Sequence, residues 1–152
     1  VSAHDMLLAC NSAFENADIT VMSAAVADYT PITIAKDKIK KKDEKFSIDL
    51  KKTTDILASL GKIKRNNQLL IGFALETENE EQYAKEKLQK KNLDLIVLNS
   101  LRDEGAGFKT VTNKITIFNK ALQKTSFETK SKVEVAKDIC SEIIKLIDNE
   151  KN

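Results

Sequence analysis

Three apolar stretches of the chain end in side chains that accept or donate hydrogen bonds. Ile19-Thr20-Val21-Met22-Ser23-Ala24-Ala25-Val26 runs into Ala27-Asp28-Tyr29, Leu69-Leu70-Ile71-Gly72-Phe73-Ala74-Leu75 runs into Glu76, and Leu95-Ile96-Val97-Leu98 runs into Asn99. Small residues ahead of an acid let a ligand approach the backbone closely, and a carboxylate there accepts from an amine or hydroxyl. Asp28 is therefore either a ligand-binding acid or a solvated strand end, while Glu76 reads as a solvated strand end.

Farther along, Lys85 has Glu81 and Lys90 has Glu86 four residues before it, the stabilising orientation on a helix. Lys87 and Lys91 have no acid three or four residues away within that helix and face one another, an unfavourable pair on an isolated helix. Tyr83 continues the stripe. This face is expected to hold an anionic ligand unless a crossing segment supplies the negative charge. Residues 36–45 carry six lysines against three acids. They form either a solvated loop or a mobile cationic flap that folds over a phosphate-bearing ligand. The sequence has no glycine-rich phosphate loop of the dinucleotide or P-loop type, and no nucleophile beside a base.

The elements that must position these groups follow from hydrophobic period. Met6, Leu7, Cys10, Ala13, Phe14 and Ala17 recur at helical spacing, with Ser2 and Asp5 placed as a capping box. The three apolar stretches read as strands buried on both faces. Phe46-Ser47-Ile48-Asp49-Leu50 alternates as a half-exposed strand, and Thr53 or Thr54 is placed to cap a helix holding Ile56, Leu57, Leu60 and Ile63. Thr77-x-x-Glu80 and Ser131-x-x-Glu134 read as capping boxes of two later helices, and strands near 114–119 and 124–128 as a hairpin around an edge. Buried strands alternating with helices predict an α/β, Rossmann-like, mainly parallel sheet with helices on both faces and a C-terminal antiparallel hairpin. In such a sheet ligands bind beyond the carboxyl ends of the strands, where Asp28, Glu76 and Asn99 fall.

Composition narrows the partners. At 152 residues the chain is expected to form one domain with a sizeable core. Its 25 basic and 23 acidic residues leave a net charge of only +2, and all but Arg65 and Arg102 of the basic residues are lysine. That argues against nucleic acid as a partner. No apolar run approaches the length of a membrane span, and Val1-Ser2-Ala3-His4-Asp5 is unlike a signal peptide, so a cytoplasmic protein is expected. One histidine, His4, argues against a His-based metal site or triad, and Cys10 and Cys140, each within an apolar stripe, read as buried reduced thiols.

The run Ala24-Ala25-Val26-Ala27-Asp28-Tyr29, followed by Lys38-Ile39-Lys40-Lys41, resembles phosphopantothenoylcysteine synthetase, in most bacteria the C-terminal half of a bifunctional coenzyme A biosynthesis flavoprotein. The likeness continues through Thr54-Asp55-Ile56-Leu57, Gly72-Phe73-Ala74-Leu75-Glu76-Thr77, Lys91-Asn92-Leu93-Asp94 leading to Asn99, and Gly107-Phe108 followed by Asn113. Thr54 stands where family members often have proline. The resemblance implies a ligase joining 4'-phosphopantothenate to cysteine through an acyl-cytidylate made from CTP, with Mg²⁺ accompanying the nucleotide and no FMN in this domain. It implies that Ala24, Asp28 and Lys38 contact the nucleotide, chiefly its base, with Lys38 also catalytic. Thr54, Asp55, Ile56, Leu57 and Phe73 complete that pocket, and Lys87 and Lys91 also bind the nucleotide. Asn99 is added from its strand-end position alone. The resemblance further implies a homodimer, in contact around the lysine flap and the Phe46 strand. The family's first strand and glycine-rich loop precede Val1, so residues 1–152 are expected to form one synthetase-type domain without its first βα unit. A fragment of a dinucleotide-dependent oxidoreductase and a non-catalytic binding domain are the competing readings. The missing glycine fingerprint counts against the oxidoreductase.

Overall fold

The computed structural model describes residues 2–35, 37–39, 46–100 and 111–150. Most of the lysine-rich stretch, and the loop with Gly105 and Gly107, lie outside them. The first helix, α1 (Ala3–Phe14), opens on the expected capping box: Asp5 N–H donates to Ser2 Oγ at 3.2 Å and Ser2 N–H to Asp5 Oδ2 at 2.8 Å. Strands β1 (Ile19–Met22), β2 (Tyr29–Pro31) and β3 (Leu50–Lys52) follow, then α2 (Ile56–Ile63), β4 (Leu69–Glu76), α3 (Glu80–Lys90) and β5 (Leu95–Ser100). The C-terminal part adds β6 (Thr112–Asn113), β7 (Ile115–Asn119), β8 (Lys124–Ser126), β9 (Lys130–Ser131) and the long helix α4 (Lys132–Glu150).

Five strands form one sheet in the order β1-β4-β5-β7-β8. The first three are parallel, and β7 and β8 extend the sheet as an antiparallel hairpin. The apolar runs of β4 and β5 split by alternation between two cores. Leu70, Ala74, Ile96 and Leu98 pack with Phe14, Ile56, Leu60, Ala84 and Leu88 beneath α1, α2 and α3. Leu69, Ile71, Leu95 and Val97 pack with Val135, Ile139 and Ile143 of α4 on the other face. Each of the Val, Leu, Ile and Phe side chains among them, taken fully from water, contributes about 1.5–3 kcal/mol. Gly72 is what lets α2 lie on the sheet: a Cβ there would come within 2.6 Å of Leu57 Cδ2 and 2.9 Å of Leu93 Cδ1.

Several elements depart from their sequence reading. The first apolar run is not buried on both faces. β1 ends at Met22 and lies at the edge of the sheet with Ile19 and Val21 exposed, because β4 is its one partner among the described residues. Residues 46–49 are not a strand; pairing begins at Leu50, opposite Pro31, so β2 and β3 form a separate two-stranded arm. Asp55 rather than a threonine caps α2, its Oδ1 accepting from Ala58 N–H at 2.9 Å. The Thr77-x-x-Glu80 box does not form. Asn79, at φ 45°, precedes α3 without a side-chain cap, so Glu80 and Glu81 stabilise that end by charge. The Ser131/Glu134 box does form. Both cysteines are free. Cys10 is half-buried, whereas Cys140 is exposed because α4 turns its neighbour Ile139 onto the sheet instead.

Candidate functional site

The carboxyl ends of β1, β4 and β5 open into a cavity of about 370 Å³. The segment after β1 supplies Ser23 to Asp28 and runs without regular structure, which exposes its backbone to the cavity. It is pinned from across: Thr53 Oγ1 donates to Ala27 O at 2.6 Å, and Thr53 N–H to Asp28 O at 2.8 Å. Thr53 to Leu57 form the facing wall at the start of α2, Phe73 to Leu75 form the floor from β4, and Lys87 and Lys91 reach in from α3. Asn99 closes the far side from β5.

The structure thus brings together Ala24, Asp28, Thr54, Asp55, Ile56, Leu57, Phe73, Lys87, Lys91 and Asn99 around one cavity. Lys38 is placed elsewhere. It is exposed beyond the β2–β3 arm and does not line the cavity, because the chain leaves the main sheet after β1, and β2 pairs with β3 instead. Its neighbours Ile34, Ile39, Phe46 and Ile48 instead border a second, apolar cavity of about 420 Å³ on that arm.

The lysine stripe is not unpaired. Lys87 Nζ lies 2.5 Å from Glu76 Oε1, and Lys91 Nζ lies 2.8 Å from Asp55 Oδ2. Crossing segments supply the acids that the helix itself lacks, so the i,i+4 reasoning does not by itself call for an anionic ligand. Glu76, set aside in the sequence as a solvated strand end, is mostly buried beside Lys87. Helical spacing could not reveal that pair because the partners lie on different elements. Asp55 feels opposing influences. Burial pulls its carboxyl upward, but the hydrogen bonds from Lys91 and Ala58 N–H, with the charges of Lys91 and Lys87, hold it below its ordinary value. By contrast, the expected Lys85–Glu81 and Lys90–Glu86 pairs are present within α3.

A further polar pair stands at the Asn99 wall. Asn113 Nδ2 donates to Asn99 Oδ1 at 3.1 Å, and Lys114 N–H donates to Asn113 Oδ1 at 3.1 Å. Among the described residues no group of three or more His, Cys, Asp or Glu side chains is arranged to hold a metal ion.

Residues 1–147 match the family described as DNA/pantothenate metabolism flavoprotein C-terminal domain. The chain belongs to this family. Among flavoprotein C-terminal-domain relatives, the coenzyme A biosynthesis bifunctional protein CoaBC of Bacillus subtilis (strain 168) is 46% identical over 95% of this chain, which covers 36% of that protein. A protein of an unknown prokaryotic organism named cysteine/cysteine sulfinic acid decarboxylase is 51% identical over 96% of this chain, which covers 41% of it. The crystal structure of the C-terminal domain of CoaBC superposes with a TM-score of 0.78 at 37% identity, over 97% of this chain and 66% of that one. The chain therefore spans about two fifths of the length of these two relatives. Among the described residues no helix is long and apolar enough to cross a membrane.

Proposed function

We propose that this domain carries the phosphopantothenate–cysteine ligase step of coenzyme A biosynthesis, with CTP as the activating nucleotide. In that reaction a carboxylate oxygen of 4'-phosphopantothenate attacks the α-phosphorus of CTP, and pyrophosphate leaves. The cysteine amine then attacks the acyl carbon of the cytidylate, CMP departs with the bonding pair, and the amine sheds a proton as the amide forms. The observation that carries the reading is the gathering of ten sequence-predicted residues on one cavity at the carboxyl ends of parallel strands. Its volume suits a small ligand.

Asp28 then holds the base from the irregular segment after β1, and Phe73 supplies an apolar surface beside it. Lys87 and Lys91 exchange their carboxylate partners for phosphate oxygens. That exchange makes charge balance central, because Asp28, Asp55 and Glu76 already offset the two lysines. Further positive charge therefore has to accompany the nucleotide. Mg²⁺ bound chiefly by the triphosphate oxygens, its usual mode with nucleotides, would supply that charge. It would neutralise charge on the polyphosphate. Lys38 would act as an additional cation toward the nucleotide.

Homodimerisation belongs to the same proposal. Ile32, Ile34, Ile39, Phe46, Ile48 and Leu50 are exposed on or beside the β2–β3 arm. An apolar surface of that kind is what a second copy would cover. A cytoplasmic location fits the pathway.

Calorimetric titration with CTP, ATP and NAD tests the reading. Selective CTP binding is expected, with CMP and pyrophosphate released once phosphopantothenate and cysteine are added. NAD binding without CTP binding would move the assignment to an oxidoreductase fragment, and binding of none of the three would overturn it.

A further inference from the structure

The cavity has two polar walls of different character. Lys87 and Lys91 enter from α3 with their charges already matched by acids. Asn99 enters from β5, two residues beyond Val97, and so lies on the sheet face covered by α4. An asparagine side chain has an acceptor at one end and donors at the other, so what it shows a ligand depends on which end is already engaged.

Here the engaged end is determined by a short relay. Asn113 sits on β6, where pairing with Lys130 of β9 fixes its backbone. Its Oδ1 accepts Lys114 N–H, so Nδ2 is the end that donates to Asn99 Oδ1. With its oxygen taken, Asn99 has its NH₂ group to offer to the cavity it lines. A neutral donor of this kind has no counter-ion to give up before it meets an anion, unlike either lysine.

We infer that Asn99 is a ligand contact donating to an anionic oxygen of the bound substrate, and that Asn113 is the positioning residue that sets which end of Asn99 faces the cavity. The oxygen belongs either to a nucleotide phosphate or to an anionic group of the acid, its carboxylate or its phosphate. This inference rests on the ligase reading of the cavity.

Asn113→Asp separates positioning from simple structural support. The new carboxylate still accepts Lys114 N–H but cannot donate, so Asn99 turns its NH₂ towards residue 113 and shows its oxygen to the cavity. Asn113→Ala merely releases Asn99. The chain and its Asn113→Asp, Asn113→Ala, Asn99→Ala and Asn99→Ala/Asn113→Asp variants are titrated by calorimetry with CTP and, separately, with 4'-phosphopantothenate. Thermal melts are recorded alongside. Asn113→Asp and Asn99→Ala are each expected to weaken one of the two ligands about five- to tenfold. Asn113→Ala should fall between wild type and Asn113→Asp, and the double variant should bind no more weakly than Asn99→Ala. The ligand that loses affinity identifies which substrate carries the oxygen. Additive losses, equal losses for both ligands, or altered melting with unchanged affinity would overturn the inference while leaving the ligase reading intact. A wild-type chain that binds neither ligand would overturn that reading, and this inference with it.

Discussion

Lys91 Nζ lies 2.8 Å from Asp55 Oδ2, and this contact ties the C-terminal end of α3 to the N-cap of α2 across the cavity. Asp55 therefore caps a helix, neutralises a lysine and forms part of the cavity wall at once. The ordinary aspartate value is 3.8, and burial would raise it, but the Lys91 and Ala58 N–H bonds with the neighbouring charges leave it lower. A carboxyl depressed in the folded state stabilises the fold above its unfolded pKa and loses that contribution as pH falls through the folded one. Asp55 is half-exposed, so solvent screening keeps the effect to about 1 kcal/mol or less. Urea midpoints of wild type and Asp55→Asn should differ at neutral pH and converge well below pH 3.8. A gap that widens on acidification would contradict the assignment.

Lys87→Gln is expected to lower CTP affinity more than Lys85→Gln does. Lys87 lines the cavity, whereas Lys85 lies over the Phe118 ring, 5.0 Å from its centre, and 3.9 Å from Glu81. Losing one charge-assisted contact corresponds to about tenfold in affinity. Calorimetry on the two variants, with cytidine as a phosphate-free control, reads the difference. Equal losses would remove Lys87 from the phosphate-binding set.

Asp28→Ala should weaken nucleotide binding by about tenfold or more without unfolding the domain. The fold tolerates the change because the Asp28 side chain is exposed and the two anchors of its segment, from Thr53, use the backbone carbonyls of Ala27 and Asp28. An unchanged affinity in the same titration would take Asp28 out of the site.

How much of this was legible in the sequence depended on whether the deciding interaction was local. The Ser2/Asp5 and Ser131/Glu134 boxes, the Lys85 and Lys90 pairs, and the β7–β8 hairpin are set within a few residues and were readable. Strand-end position was enough to bring Asp28 and Asn99 to one cavity. The Glu76–Lys87 and Asp55–Lys91 pairs join different elements, so i,i+4 spacing could leave only as an alternative the crossing acids that the structure places there. Burial of the first apolar run was overread for a similar reason. Its composition carries no record of which neighbours flank it, and in this structure Ile19 and Val21 stand on an edge. The relay from Lys114 through Asn113 to Asn99 crosses from β6 to β5, and no pattern within either segment announces it.

The opposite end of the sheet gives a control that separates stability from binding. Asp94, just before β5, takes Lys64 Nζ at 2.6 and 2.8 Å and also accepts Leu70 N–H at 2.8 Å. Lys64 is nearly fully buried there. Asp94→Ala strands that ammonium and one backbone donor, which costs about 3–5 kcal/mol. Because Asp94 lies at the amino end of β5 and the cavity at the carboxyl end, the variant should unfold at markedly lower urea yet bind CTP normally at low temperature. A selective loss of CTP affinity with unchanged stability would mean that the two ends of the sheet are coupled.

Gly61→Ala, by contrast, should damage both properties together. Gly61 lies in α2 against the C-terminal end of α3, and a Cβ built on it would fall 1.9 Å from Lys91 O. Asn92 Nδ2 also donates to Gly61 O at 2.9 Å, and Asn92 itself turns the chain at φ 52°. The added methyl therefore has to push backbone, not a flexible side chain, and overpacking of that kind costs about 1–3 kcal/mol. The residue displaced is Lys91, so its contact with Asp55 and its reach into the cavity change as well. A lowered urea midpoint accompanied by weaker CTP binding, with cytidine binding less affected, is the expected result. Full CTP affinity in a destabilised Gly61→Ala would show that the position of Lys91 does not govern the phosphate end of the site.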